Sequence, residues 1–211
     1  MTNLDVINSA LNAERLFVLG GFHEDNETIL MVGPDETNGF WAHFQASVEG
    51  QDGLPDAMDR WSSRVLGSIA TGLDAKVYFP FGGPPYHPFY NWAIKTGRIH
   101  ESPIRLLVHD QAGLWVSFRG ALQVSGRLGF PPPPPSPCEA CVTRPCLSAC
   151  PAHVLDEHRY DVAGCKTFLR SGEGRDCMGR GCHARRDCPV SKSWGRKSEQ
   201  SAFHMEAFCP R

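Results

Sequence analysis

Two stretches decide how this chain is read: CEACVTRPCLSACP over Cys138–Pro151, and CKTFLRSGEGRDCMGRGCHARRDCP over Cys165–Pro189. The first spaces its cysteines C-x2-C-x4-C-x3-C-P, with Cys138, Cys141, Cys146 and Cys150 ahead of Pro151. The second holds Cys165, Cys177, Cys182 and Cys188 and again closes on a proline, Pro189. All nine cysteines of the 211 residues lie at or after position 138. The start of the chain, Met1 to Arg15, carries Asp5 and Glu14 and lacks the basic start and apolar stretch of a secretory signal. No run approaches the roughly 18 consecutive apolar residues that a membrane-spanning helix needs. These features predict a cytoplasmic protein with no membrane partner, and in a reducing compartment clustered thiols are more often metal ligands than disulfides.

Immediately before the cysteines stand five prolines, Pro131–Pro135. They donate no backbone hydrogen bonds and favour a stiff extended chain, so residues 131–137 read as a linker between a domain over 1–130 and a cysteine module over 138–211. Charge divides the same way, with 12 basic and 9 acidic residues from position 138 onward against 9 and 14 before it. So small a balance does not predict a nucleic-acid partner. Arg180, Arg185 and Arg186 form a local basic cluster, read as a solvated edge, with a docking patch for an acidic redox partner protein as the alternative.

The first 130 residues read as α plus β. Short apolar runs ending in glycine at Arg15–Gly21, RLFVLGG, and Thr28–Gly33, TILMVG, predict buried strands, and Ala75–Phe81 predicts a third. Helical spacing of apolar residues predicts helices over Phe40–Val48 and Leu54–Ala70, with one or two further turns over Pro88–Ile94. Ile104–Val108 and Leu114–Leu122, separated by a short polar turn, predict a hairpin.

Two groups of four cysteines suit two [4Fe–4S] clusters, since each takes one thiolate per iron. The first run resembles that of bacterial ferredoxins, C-x2-C-x2-C-x3-C-P, with two residues inserted between the second and third cysteines. A four-cysteine zinc site is the structural alternative, but zinc ribbons pair two C-x2-C knuckles and do not repeat the Cys-Pro ending. His153 and His183 lie among the cysteines and are not needed as ligands, and Cys209, two residues from the end, reads as a spare thiol.

The order of these parts resembles a known family. Arg105–Leu122, RLLVHDQAGLWVSFRGAL, then the prolines, the first cysteine run and Ala163–Leu169, AGCKTFL, look like the iron–sulfur half of epoxyqueuosine reductase and its reductive-dehalogenase relatives. The pattern formed by His109, Gly113, Trp115, Arg119 and Gly120 is also similar to the cobalamin-processing protein of the cblC class. The resemblance covers about residues 104–190. It implies an α+β protein in which a nitroreductase-like α/β domain precedes a small bacterial-ferredoxin-like two-cluster module. It also implies crossed ligation, the fourth cysteine of each run serving the other cluster. Cys138, Cys141, Cys146 and Cys188 are then one ligand set, and Cys150, Cys165, Cys177 and Cys182 the other. A cobalamin or flavin site is implied at Gly82, Gly83, Tyr86, Trp115 and Arg119; the alternative is a tight turn at FGGPP and an ordinary core tryptophan. The part of the chain before the cysteines is shorter than the family's corrinoid domain, and its catalytic acid matches no residue, so no catalytic residue is assigned. Three functions follow: an electron-transfer protein, a cobalamin- or flavin-dependent oxidoreductase with a small-molecule substrate, or a zinc-stabilised interaction module.

Overall fold

The structure is a computed structural model that describes residues 3–210; Met1, Thr2 and Arg211, at the outer ends of the two predicted domains, lie outside them. The chain is mixed α+β. It divides into two compact units, one running up to Ile99 and resuming over Ser117–Pro134, the other made of His100–Val116 and the chain from Pro135 onward. A division drawn at the prolines alone misses the excursion of residues 100–116 into the cysteine-bearing unit.

The first unit is built from α1 (Leu4–Ala13), β1 (Leu16–Glu24), β2 (Glu27–Pro34), α2 (Phe40–Gln45), α3 (Val48–Gln51), α4 (Ala57–Leu73), β3 (Lys76–Tyr78) and α5 (Phe89–Lys95). The chain then makes β4 (Ile99–Glu101) and β5 (Leu107–His109) before returning as β6 (Gly120–Ser125). β1, β2, β6 and β3 lie in that order in one sheet, and each neighbouring pair is antiparallel. β2 is central because its sequence is apolar on both faces, and Leu30, Met31 and Val32 are fully buried. α4 buries Met58, Trp61, Val65, Leu66 and Ala70 along one stripe, the 3.6-residue periodicity anticipated from sequence. Gly120 lets that helix approach the sheet, since a Cβ there would lie 2.6 Å from Leu66 Cδ1.

α1 has no counterpart in the sequence reading. Asn3 caps it by accepting a hydrogen bond from the Val6 amide at 2.9 Å, and Ile7 and Leu11 bury its inner face. The expected hairpin does not form. Its first arm, β5, pairs with β4, whereas its second, β6, joins the four-stranded sheet between β2 and β3. Between them His109 and Gly113 close only a single bridge. The two apolar arms looked alike in sequence, but β5 took a partner close upstream while β6 took the distant β2 and β3.

The second unit continues with α6 (Val162–Arg170), α7 (Arg175–Arg180), α8 (His183–Asp187), α9 (Pro189–Lys192) and α10 (Ser198–Phe208). Within it α10 lies beside α7, and α7 beside α6. Among the described residues no helix is long and apolar enough to cross a membrane.

In the first unit a two-pronged ion pair fastens α3 to α4: Arg64 donates Nε to Glu49 Oε1 at 2.6 Å and Nη2 to Oε2 at 2.8 Å. Arg64 holds the Glu49 carboxyl well below the usual range, at about 2. A carboxyl depressed on folding adds stability that is complete above its ordinary pKa and lost as pH falls toward the folded value. Glu49→Gln is therefore expected to lower the melting temperature at neutral pH. The gap between variant and native protein is expected to close as pH falls from about 4.5 to about 2, checked by thermal denaturation across that range.

Candidate metal centre

The eight cysteines of the two runs stand on short elements whose ends hold them apart. Cys138 and Cys141 lie on irregular chain, and Cys146 sits in a single 3-10 turn, Pro145–Leu147, opened by a proline at its start. Cys165 is on the second turn of α6, which Asp161 caps by accepting from the Gly164 amide at 2.9 Å. Cys177 is on the first turn of α7. Cys182 and Cys188 flank α8, one at its N-terminal cap and the other at its C-terminal cap. Six positions apart across α8, they are separated by about 9 Å along the helix at 1.5 Å per residue.

Two sulfur groups result. The Cys146 thiol, 7% exposed, is pushed up to about 11, first by burial and then by the neighbouring thiols of Cys138, Cys188 and Cys141. Burial also raises Cys138, and Cys188 and Cys141 add to it. All four line one cavity of about 310 Å³, whose other walls include Val108, Leu114 and Pro189. In the second group, burial and then the Cys182 thiol raise Cys165 and Cys177, and Cys150 acts on Cys165 as well. The upward shift takes Cys177 to about 11. Every cysteine is a free thiol. Raised by burial, the Cys138, Cys146, Cys165 and Cys177 thiols remain neutral near pH 7 unless a cation arrives, and a bound metal ion would deprotonate them.

Cys188 thus stands with Cys138, Cys141 and Cys146 of the other run, while Cys150 acts on Cys165 and also packs in one core cluster with Cys146 and Cys188, and Cys209 acts on Cys165 as well. Among the described residues no three His, Cys, Asp or Glu side chains converge on a point as a single metal ion requires. The four thiols that line the cavity of the first group are soft donors, the chemistry that suits iron and zinc.

Residues without a sequence signal complete the site. The Tyr160 hydroxyl hydrogen-bonds Cys165, and burial followed by that bond holds the phenol above its usual range. The His183 amide donates to Cys177. Arg185 Nη1 donates to the Leu114 carbonyl at 2.6 Å, while Arg180, Arg186 and His183 all turn to Asp176. The basic cluster is thus tied down within its own unit. Cys209, expected to be a spare thiol, is 1% exposed and shares a core cluster with Cys165 and Cys177.

Of the residues named for a cobalamin or flavin, Gly82, Gly83, Tyr86 and Arg119 belong to the first unit and Trp115 to the second. Tyr86 is 66% exposed and its ring folds back on Gly83, where a Cβ would lie 2.6 Å from it. Gly82 has φ +82°, as a tight turn needs. Arg119 is buried in the first unit, 3.9 Å from Asp59 and 3.3 Å from Ser117 Oγ, and burial lowers its pKa against the pull of Asp59. Trp115 belongs to the second unit, where it packs against Gly181 beneath the Arg196 guanidinium at 5.2 Å. A separate cavity of about 620 Å³ lies within the first unit, lined by Gly20, Gly21, His23, Lys95, Arg98 and Phe130 among others. Sequence reasoning had no signal for it, because β1, the end of α5 and the chain before the prolines meet there only on folding.

Comparison with family models, with curated proteins and with solved structures finds no match to this chain.

Gly181 sets the position of Cys182. Its φ of +85° and ψ of 170° fall in a region open essentially to glycine, and a Cβ would lie 2.8 Å from the Trp115 ring and 2.9 Å from Ser201 Cβ. Gly181→Ala is expected to destabilise the protein by about 1–3 kcal/mol, the usual range for such backbone strain. Chemical denaturation followed by circular dichroism checks it.

Proposed function

We propose that this chain is an iron–sulfur electron-transfer protein that holds two [4Fe–4S] clusters. Cys138, Cys141, Cys146 and Cys188 hold one, and Cys150, Cys165, Cys177 and Cys182 the other. The observation that carries the reading is the shared cavity that Cys188 lines with Cys138, Cys141 and Cys146 of the other run, as ferredoxin-type crossed ligation requires. When bound, such clusters supply reversible one-electron transfer to a redox partner protein. The residues of this chain supply thiolates, amide and hydroxyl donors to the sulfurs, and apolar walls that limit water. On this reading the second unit is a ferredoxin-like module and the first a nitroreductase-like domain, as in the epoxyqueuosine reductase family that the sequence resembles.

Anaerobic protein is expected to be brown and to carry about eight irons and eight sulfides, from four of each per cluster. The crossing has its own test. The double variant Cys138→Ser/Cys188→Ser is expected to keep about four irons, because both changes fall on one cluster, whereas Cys138→Ser/Cys150→Ser is expected to lose nearly all. Uncrossed ligation reverses the two results. Stoichiometric zinc in place of iron sinks the proposal.

A second reading adds a cofactor or small-molecule substrate in the first unit, making the protein an oxidoreductase. The observation that favours it is the cavity of about 620 Å³, a size within the ~300–1,000 Å³ of small-molecule sites. Titration with cob(II)alamin and with flavin mononucleotide, followed by absorbance and thermal shift, tests it; no change with either removes this reading and leaves the first intact.

A further inference from the structure

We propose that Ser102 is a hydrogen-bond donor to the cluster held by Cys138, Cys141, Cys146 and Cys188, and that it raises the reduction potential of this first cluster alone. The proposal deepens the two-cluster reading above and rests on it.

Ser102 opens the turn between β4 and β5, two strands that pair with each other. Its amide donates to the Leu106 carbonyl at 2.8 Å, and its carbonyl accepts from the Arg105 amide at 3.0 Å. Pro103 follows with its fixed φ, and Ile104 is fully buried in the core cluster that contains Cys146 and Cys188. The backbone of Ser102 is thereby pinned and satisfied. Its side chain is not. Ser102 is 5% exposed, and among the described residues its Oγ has no hydrogen-bond partner. A buried hydroxyl without a partner is costly, and folded proteins keep few of them.

The surroundings of that hydroxyl point to its partner. Ser102 lines the cavity of about 310 Å³ together with Cys138, Cys141, Cys146 and Cys188, and none of Cys150, Cys165, Cys177 and Cys182 lines it. Apart from the cysteines, the only other polar side chain named on its walls is Arg144, which is half exposed and faces Glu157. The thiols are weak acceptors, and none of them takes the Ser102 hydrogen bond. Sulfur bound to metal carries negative charge and accepts a hydrogen bond strongly. A cluster held by these four cysteines therefore brings into the cavity the acceptor that the chain itself lacks.

Reduction adds one electron to a cluster and moves no proton. The added negative charge spreads onto the sulfurs, so a hydroxyl donating to one of them stabilises the reduced form more than the oxidised one and raises the potential.

The test is a potentiometric titration of anaerobic protein with a low-potential one-electron reductant, each midpoint read by electron paramagnetic resonance. Cys177→Ala, which retains only the first cluster, assigns the midpoints. Ser102→Ala is expected to keep full iron and to lower the midpoint of the first cluster with the second unmoved, while Ser102→Thr, which keeps a hydroxyl, stays near the native value. Ser102→Thr and Ser102→Val, alike in shape and differing in the hydroxyl, give the same comparison where the alanine variant assembles poorly. The hydroxyl is also expected to leave a signature that packing does not: a proton coupling in the spectrum of the reduced native protein, removed by exchange into deuterium oxide and missing in Ser102→Ala. Full iron with the first midpoint unmoved in the alanine and valine variants overturns the proposal, as does an equal shift of the second midpoint. Native protein without iron instead overturns the two-cluster reading itself, so the two failures are distinct.

Discussion

Thiols gathered in a site of low dielectric cannot ionise together unless a counter-charge arrives, and the second unit is organised around that constraint. Burial and mutual proximity push Cys146 and Cys177 to about 11. Protonated, these two buried thiols are weakly polar side chains serving as core. On the function proposed above, metal binding would make the sulfurs ligands and add the free energy of ligation to that of folding. The unit has little else to rely on: α7, α8 and α9 are 6, 5 and 4 residues long. Helices of that length do not persist without tertiary partners.

The detour of residues 100–116 answers the same need. The segment from Cys138 to Cys188 is poor in large aliphatic residues, and the detour brings Ile104, Val108 and Leu114 into the core cluster that contains Cys146, Cys150 and Cys188. It is latched by two hydrogen bonds to the cysteine segment: the Leu114 amide to Ser191 Oγ at 2.8 Å, and Arg185 to the Leu114 carbonyl. Gly113 fits against Ser191 because it lacks a Cβ, which would lie 2.5 Å from the Ser191 amide. His109 is fully buried in the same turn, with Nδ1 accepting from the amides of Gln111 and Ala112 and Nε2 against Asp110. The His-Gly-Trp pattern seen in the sequence thus corresponds, within this unit, to a tightly hydrogen-bonded turn that carries apolar residues to the sulfurs.

Local signals carried much of the reading. Strands β1, β2 and β3 and helices α2, α4 and α5 fall on the predicted runs, because their periodicity reflects which side is buried. The hairpin failed for a reason of the same kind: β5 and β6 each have the apolar character of a strand, and nothing within either indicates a partner. α1 was missed although Leu4, Ile7 and Leu11 stand at helical spacing behind the Asn3 cap, a signal the sequence reading passed over. The residues named for a cofactor came from a family pattern, and here Trp115 is a packed residue of the second unit while Tyr86 folds over its own turn. Tyr160 and the cavity of the first unit had no sequence signal, since both depend on distant segments meeting.

The sequence by itself determined the inventory and its spacing: eight cysteines in two runs that each close on Cys-Pro, and none before position 138. Spacing along a chain constrains only near neighbours, so it could not decide how the runs are shared. The tertiary structure decided what surrounds them: Cys188 lines one cavity with Cys138, Cys141 and Cys146 of the other run, and a loop from far upstream brings Ile104, Val108 and Leu114 into the core that holds Cys146, Cys150 and Cys188. The physical reason is that burial of apolar surface joins complementary faces however far apart they lie along the chain.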